Sequence, residues 1–143
     1  MKLRRWPPVI LTLCALALSP LLAIAAEPAE EAADKKVIVY YFHGDKRCRT
    51  CRAIEANTEE ALQRRFSEEL DSGMLEWKVV NFDRPDNEHY LEDFGLYTSS
   101  VVVVEMAGEK AVRHETLQEV WSLVHEKAKF FPYVTSAVRG YLE

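Results

Sequence analysis

The sequence predicts one α/β domain with a central mixed β-sheet flanked by helices. Three observations carry this. Residues 37–42 form an unbroken β-branched and aromatic run, an amphipathic helical pattern follows at once, and the order continues as strand, helix, strand, strand, helix. A helix joining the first two strands makes them parallel, whereas a tight turn between the last two makes them antiparallel.

The elements follow in order. The run at 37–42, bounded by His43, Gly44 and Asp45, suits a central strand buried on both faces. Ile54, Thr58, Ala61, Leu62, Phe66 and Leu70 then recur at helical spacing, and the helix should end near Ser72 and Gly73. Residues 75–82 are rich in Val, Trp and Phe and predict a second strand. Asp83, Arg84, Pro85 and Asp86 stop it and start a helix over 87–94, capped by Gly95. Residues 100–106 contain four consecutive valines, 107–109 supply a turn and 110–114 return as a hairpin. Leu117, Val120, Trp121 and Val124 share one face of a closing helical region. Phe130, Phe131, Val134, Val138, Tyr141 and Leu142 share another, and Pro132 should sit in a first turn or make a kink.

At 143 residues the chain is a single domain's length, too short for a multidomain enzyme. With 23 acidic against 18 basic side chains, its formal charge of -5 argues against nucleic acid as a partner, because no long-range field would gather phosphates. Three cysteines cannot all pair within one chain, and 6 prolines with 5 glycines fit neither a disulfide-dense scaffold nor a disordered chain.

The amino-terminal residues stand apart. Lys2, Arg4 and Arg5 form a basic head, residues 9–26 an apolar run, and Ala23, Ala25 and Ala26 a small-residue cleavage pattern, so residues 1–26 read as a secretory signal peptide. Cleavage would remove three basic residues, no acidic one, and Cys14. An uncut run of this length would instead anchor the chain, the one route to membrane association, and would leave the domain on the same side. Either way the expected location is periplasmic or otherwise extracytoplasmic. Residues 27–36 are Ala, Glu, Asp and Lys with one Pro and predict a flexible acidic linker, leaving residues 37–143 as the folded domain.

The chemistry gathers where the first strand gives way to its helix. Cys48 and Cys51 are separated by two residues at that junction, where unpaired backbone N–H groups and the helix dipole favour an anion. Cys48 is therefore the candidate nucleophile. Cys51, one turn further along on the inner side, is the candidate resolving thiol. Lys46, Arg47, Arg49 and Arg52 surround the pair with positive charge in an otherwise acidic chain. They should lower the Cys48 pKa, stabilise the reduced form and make the disulfide more oxidising than one with neutral flanks. A permanent structural clip is the alternative for the same two cysteines, although so small a loop contributes little entropy.

The stretch Tyr40-Tyr41-Phe42-His43-Gly44-Asp45-Lys46-Arg47-Cys48-Arg49-Thr50-Cys51-Arg52-Ala53-Ile54-Glu55 resembles the active-site segment of the thioredoxin-like superfamily. More narrowly, it is similar to a small exported family described as a nitrophenyl-compound nitroreductase subunit and found near arsenic-resistance genes. A second support is the segment from Phe94 to Val104, followed by Gly108 and Glu109. The resemblance covers residues 37–142 and implies a thioredoxin-like fold, a redox-active dithiol, protein thiols or disulfides as substrates, and a redox partner protein. No cofactor is implied by these residues, which include no flavin or nicotinamide site. Two departures stand out. Ser100 occupies the position of the family's cis-proline, and Phe42 or its neighbours replace the family's buried acid. The loop before the valine strand faces the dithiol in this fold, so Ser99 and Ser100 are candidate substrate-binding residues.

Other polar residues call for no chemistry. His43 with Cys48 and Cys51 would offer three ligands to a thiophilic metal or metalloid, which defines the rival function of a binding module; no fourth ligand is evident and no metal site is assigned. A non-catalytic subunit with a structural disulfide is the second rival. His89, His114 and His125, the carboxylates Asp83, Glu88 and Glu92, and Trp77 and Trp121 fit solvated faces and core or rim packing.

Overall fold

The computed structural model describes residues 35–143. The basic head, the apolar run, Cys14 and the linker up to residue 34 lie outside the described residues. Among those described, no helix is long and apolar enough to cross a membrane.

Four strands form one sheet in the order β2-β1-β3-β4. Strand β1 (Lys35–His43) starts two residues before the apolar run, because Lys35 and Lys36 still pair with Ala107 and Met106. It runs parallel to β2 (Leu75–Asn81) and antiparallel to β3 (Ser100–Ala107), which in turn pairs antiparallel with β4 (Lys110–Thr116). The central position expected for residues 37–42 is met: all six are buried. Gly108 makes the β3–β4 turn with φ of 61°, a conformation that costs glycine little.

The crossover from β1 to β2 is two helices rather than one. Helix α1 (Arg49–Arg65) ends where Phe66 leaves helical geometry, and α2 (Ser67–Ser72) resumes with Glu68 and Glu69 in its first turn, where the dipole favours them. Phe66 is buried, so its side chain takes a place in the core at the break. The helix expected over 87–94 is shorter, a 3-10 turn at Pro85–Asn87 followed by α3 (His89–Asp93). The carboxy-terminal region comprises α4 (Val120–Leu123) and α5 (Lys127–Leu142). Pro132 lies in the second turn of α5, past the first turn, so the carbonyl four residues earlier lacks its usual helical donor.

Alternation along β1 divides the core. Val37, Val39 and Tyr41 face α1 and α5 in a cluster with Ile54, Leu62, Phe130, Val134 and Val138. Ile38, Tyr40 and Phe42 face the other way, toward Tyr90 and Phe94. The carboxy-terminal helix therefore backs α1, whose amino terminus carries the two cysteines.

At the sheet edge, Glu76 of β2 pairs with Lys36 and Lys78. Its hydrogen bond from Lys36, joined by one from Lys78, holds the carboxyl below the usual glutamate range. A depressed carboxyl stabilises the fold above its unfolded-state pKa and loses that contribution as pH falls through the folded value. Glu76→Gln should therefore lower the melting temperature at neutral pH and match the parent in strong acid. The pair is partly exposed, so the neutral-pH loss should stay below about 1 kcal/mol; an equal gap at both pH values would remove this role from Glu76.

Candidate functional site

Strand β1 delivers the chain at His43 to a short loop, and Cys48 forms the N-cap of α1 with extended backbone (φ -73°, ψ 168°). Its Sγ accepts a hydrogen bond from the Cys51 N–H at 3.0 Å, taking the role an N-cap oxygen usually plays. Cys48 and Cys51 are joined in a disulfide with Cα atoms 5.1 Å apart. Cys48 is exposed, whereas Cys51 is only 6% accessible. The first turn of α1 carries no acidic side chain, so nothing on that turn opposes negative charge on sulfur.

The four neighbouring cations are placed unequally. Lys46, Arg49 and Arg52 are exposed. Arg47 is half-buried, ion-paired with Glu55 of α1, and its guanidinium lies 5.9 Å from the centre of the Tyr41 ring. The Arg52 guanidinium donates to the Arg47 carbonyl at 2.8 Å, which ties the loop to the helix. Arg47 thus has its charge offset by Glu55, leaving Lys46, Arg49 and Arg52 as the cations without a carboxylate partner among the described residues.

Hydrogen bonds strap the loop to the end of β2. The Asp45 N–H donates to Asp83 Oδ2 at 2.7 Å, and Asn81 Nδ2 donates to Asp45 Oδ1 at 2.7 Å. Asp83, which looks like a solvated helix-start residue in the sequence, is a structural acceptor here. Gly44 passes so close that a Cβ there would lie 2.8 Å from Asp83 Oδ2 and 3.3 Å from the Phe82 ring. His43 turns Nδ1 to the Gly44 carbonyl at 2.9 Å. Among the described residues no group of three or more His, Cys, Asp or Glu side chains is arranged to hold a metal.

Ser99 immediately precedes β3 and Ser100 opens it, both largely buried, and Ser100 pairs with Phe42 across the sheet. The Ser100 hydroxyl donates to the Thr98 carbonyl at 2.9 Å, and the Ser99 carbonyl accepts from Trp121 Nε1 at 3.1 Å. Peptide bonds among the described residues, including that before Ser100, are trans. Ser100 and the exposed side chains of Tyr97 and Trp121 line a cleft of about 130 Å³.

Sequence reasoning missed Tyr41. It is fully buried beneath α1, and its hydroxyl donates to the Cys51 carbonyl at 2.7 Å. Burial pushes the phenol pKa up, while the neighbouring Ser99 side chain and the charge of Arg47 oppose the rise. Phe42 faces the opposite side of the sheet, so it is Tyr41 that lies beneath the dithiol.

No family model and no curated protein matches the sequence. Among solved structures the chain is similar to a thioredoxin from Fasciola hepatica, at 17% identity over 74% of this chain and 81% of that one, with a TM-score of 0.44. It is also similar to the germline-specific thioredoxin Deadhead from Drosophila melanogaster, at 22% identity over 69% and 85%, with a TM-score of 0.41. A thioredoxin from Thermus thermophilus gives 16% identity over 71% and 73%, with a TM-score of 0.42.

Proposed function

We propose that this chain is an exported thiol-disulfide oxidoreductase in which Cys48 attacks and Cys51 resolves. One observation carries the reading: an exposed cysteine at a helix N-cap is disulfide-bonded to a buried cysteine one turn along. A structural clip has no need of an exposed member placed where the helix stabilises a thiolate.

In the reducing direction, the Cys48 thiolate attacks one sulfur of a partner disulfide. That S–S bond breaks, a mixed disulfide forms, and the first partner sulfur leaves as a thiolate that takes up a proton. The Cys51 thiol then loses its proton and attacks Cys48 Sγ, and the second partner sulfur leaves. Two electrons pass to the partner as the Cys48–Cys51 disulfide forms. The oxidising direction is the reverse, with a substrate thiolate attacking Cys48 Sγ. The step needs protein thiols or disulfides and a redox partner protein, but no cofactor.

Lys46, Arg49 and Arg52, with Arg47 to a lesser degree, stabilise the Cys48 thiolate by charge. Ser99 and Ser100 contact the partner without taking part in bond making. The basic head and apolar run support export, and the active-site stretch supports kinship with the exported family it resembles, from which the reading takes fold and dithiol alone. Recovery of the full-length chain from the cytoplasm would refute export.

Two titrations test the chemistry. Reduced protein should be alkylated at Cys48 with a midpoint well below the value of about 8.5 for an ordinary thiol. Equilibration with glutathione should give a potential above roughly -300 mV, outside the range of structural disulfides. A midpoint at the ordinary value together with a potential below that bound would leave only the clip.

A further inference from the structure

We propose that Tyr41 is a positioning residue for the dithiol, holding the first turn of α1 so that the Cys51 N–H remains aimed at Cys48 Sγ when the disulfide opens. The proposal rests on the exchange chemistry above.

A buried phenol needs a hydrogen-bond partner, and the acceptor of Tyr41 is the backbone of the resolving cysteine itself. Cys51 is thereby gripped at its carbonyl by Tyr41 at 2.7 Å and presents its N–H to Cys48 Sγ at 3.0 Å. The groups facing the ring and hydroxyl are the Arg47 guanidinium, the His43 ring and Ser99. The Ser99 carbonyl in turn accepts from Trp121 at the cleft. Ser99 therefore stands between the cleft and the phenol, while the one hydrogen bond that the phenol donates goes directly to Cys51.

The consequence differs between redox states. In the oxidised protein the covalent S–S bond already fixes the first turn, so the phenol adds little. In the reduced protein that bond is gone and Cys48 carries negative charge, so an aimed N–H is worth more there. An interaction stronger in one state shifts the equilibrium toward that state. The Tyr41 hydroxyl should therefore favour the dithiol and make the disulfide more oxidising.

The test compares the parent chain with Tyr41→Phe, which removes one oxygen and keeps the ring. The glutathione equilibrium of Tyr41→Phe should move toward the disulfide on the order of fivefold, the effect of one lost hydrogen bond. The alkylation midpoint of Cys48 should rise with it. Ser99→Ala, which removes the side-chain hydroxyl beside the phenol and keeps the backbone contact with Trp121, should shift both in the same direction by less, and serves if Tyr41→Phe does not fold. If the parent equilibrates with glutathione and the variants differ from it only in melting temperature, Tyr41 is ordinary core and the proposal is overturned while the exchange reading stands. If the parent itself does not exchange, the reading and the proposal fall together.

Discussion

Cys51→Ser should accumulate covalent adducts on Cys48, visible as bands lost on reduction, whereas Cys48→Ser should form none. The asymmetry follows from exposure. Cys48 lies at the surface and Cys51 is nearly inaccessible, so an incoming disulfide meets only the first. Once the mixed disulfide has formed, release requires a second sulfur within reach, and only Cys51 provides it. Replacing it stops the cycle at its midpoint. Turnover in a disulfide-reduction assay should fall at least a hundredfold in either variant, an order-of-magnitude loss expected when a covalent participant is removed. The two rival functions predict otherwise. A metal-binding module would lose affinity in both variants without adducts, and a clipped assembly subunit would show background turnover before any substitution. Equal trapping by the two variants would mean that exposure does not decide which sulfur attacks.

Much of this site is legible in the sequence because its signals are local. A β-branched run, a polar loop, two cysteines and an amphipathic helix follow one another without interruption, so strand, N-cap and dithiol can be placed before any tertiary contact is known. What cannot be read is which side of the strand faces the helix. Residues 37–42 are apolar throughout, and a strand buried on both faces carries no alternation to show its parity. Phe42 and Tyr41 are therefore equivalent in the sequence, and only the packing of α1 separates them. The Arg47–Glu55 pair is hidden for a different reason. Eight residues separate the two, and the pairing depends on how the loop folds back on the first turns of α1, which helical spacing alone does not give. The break at Phe66 is similar: the apolar period continues from Ile54 to Leu70 across two helices, since the pattern records which face is buried and is silent about a change of axis. Asp83 shows the limit at loops, where an acid beside a proline turn looks solvated until the segment it binds is brought over it.

Phe130→Ala should be the most damaging single change remote from the cysteines. Phe130 is fully buried in the cluster that joins α5 to the sheet and to α1 through Ile54 and Leu62. Truncating a buried phenylalanine removes its transfer free energy and leaves a cavity, about 3–5 kcal/mol in all. A domain of this size has on the order of 5–15 kcal/mol of stability, so the loss is a large share. Each kcal/mol lowers the melting temperature of a domain of about 100 residues by roughly 4–8 °C, which puts the expected fall above about 12 °C. Phe130→Leu, which keeps most of the volume, should cost less than half as much. The site should respond differently from the scaffold, because Phe130 is neither within the Tyr41–Cys51 contact nor among the charges around Cys48. Below its lowered transition, folded Phe130→Ala protein should hold the parent's glutathione equilibrium and Cys48 alkylation midpoint. A fall of only a few degrees would mean that α5 contributes little to holding α1 against the sheet. A large fall accompanied by a shifted potential would mean instead that the dithiol is tuned by the core as a whole, and that the contacts of its first turn do not set it alone.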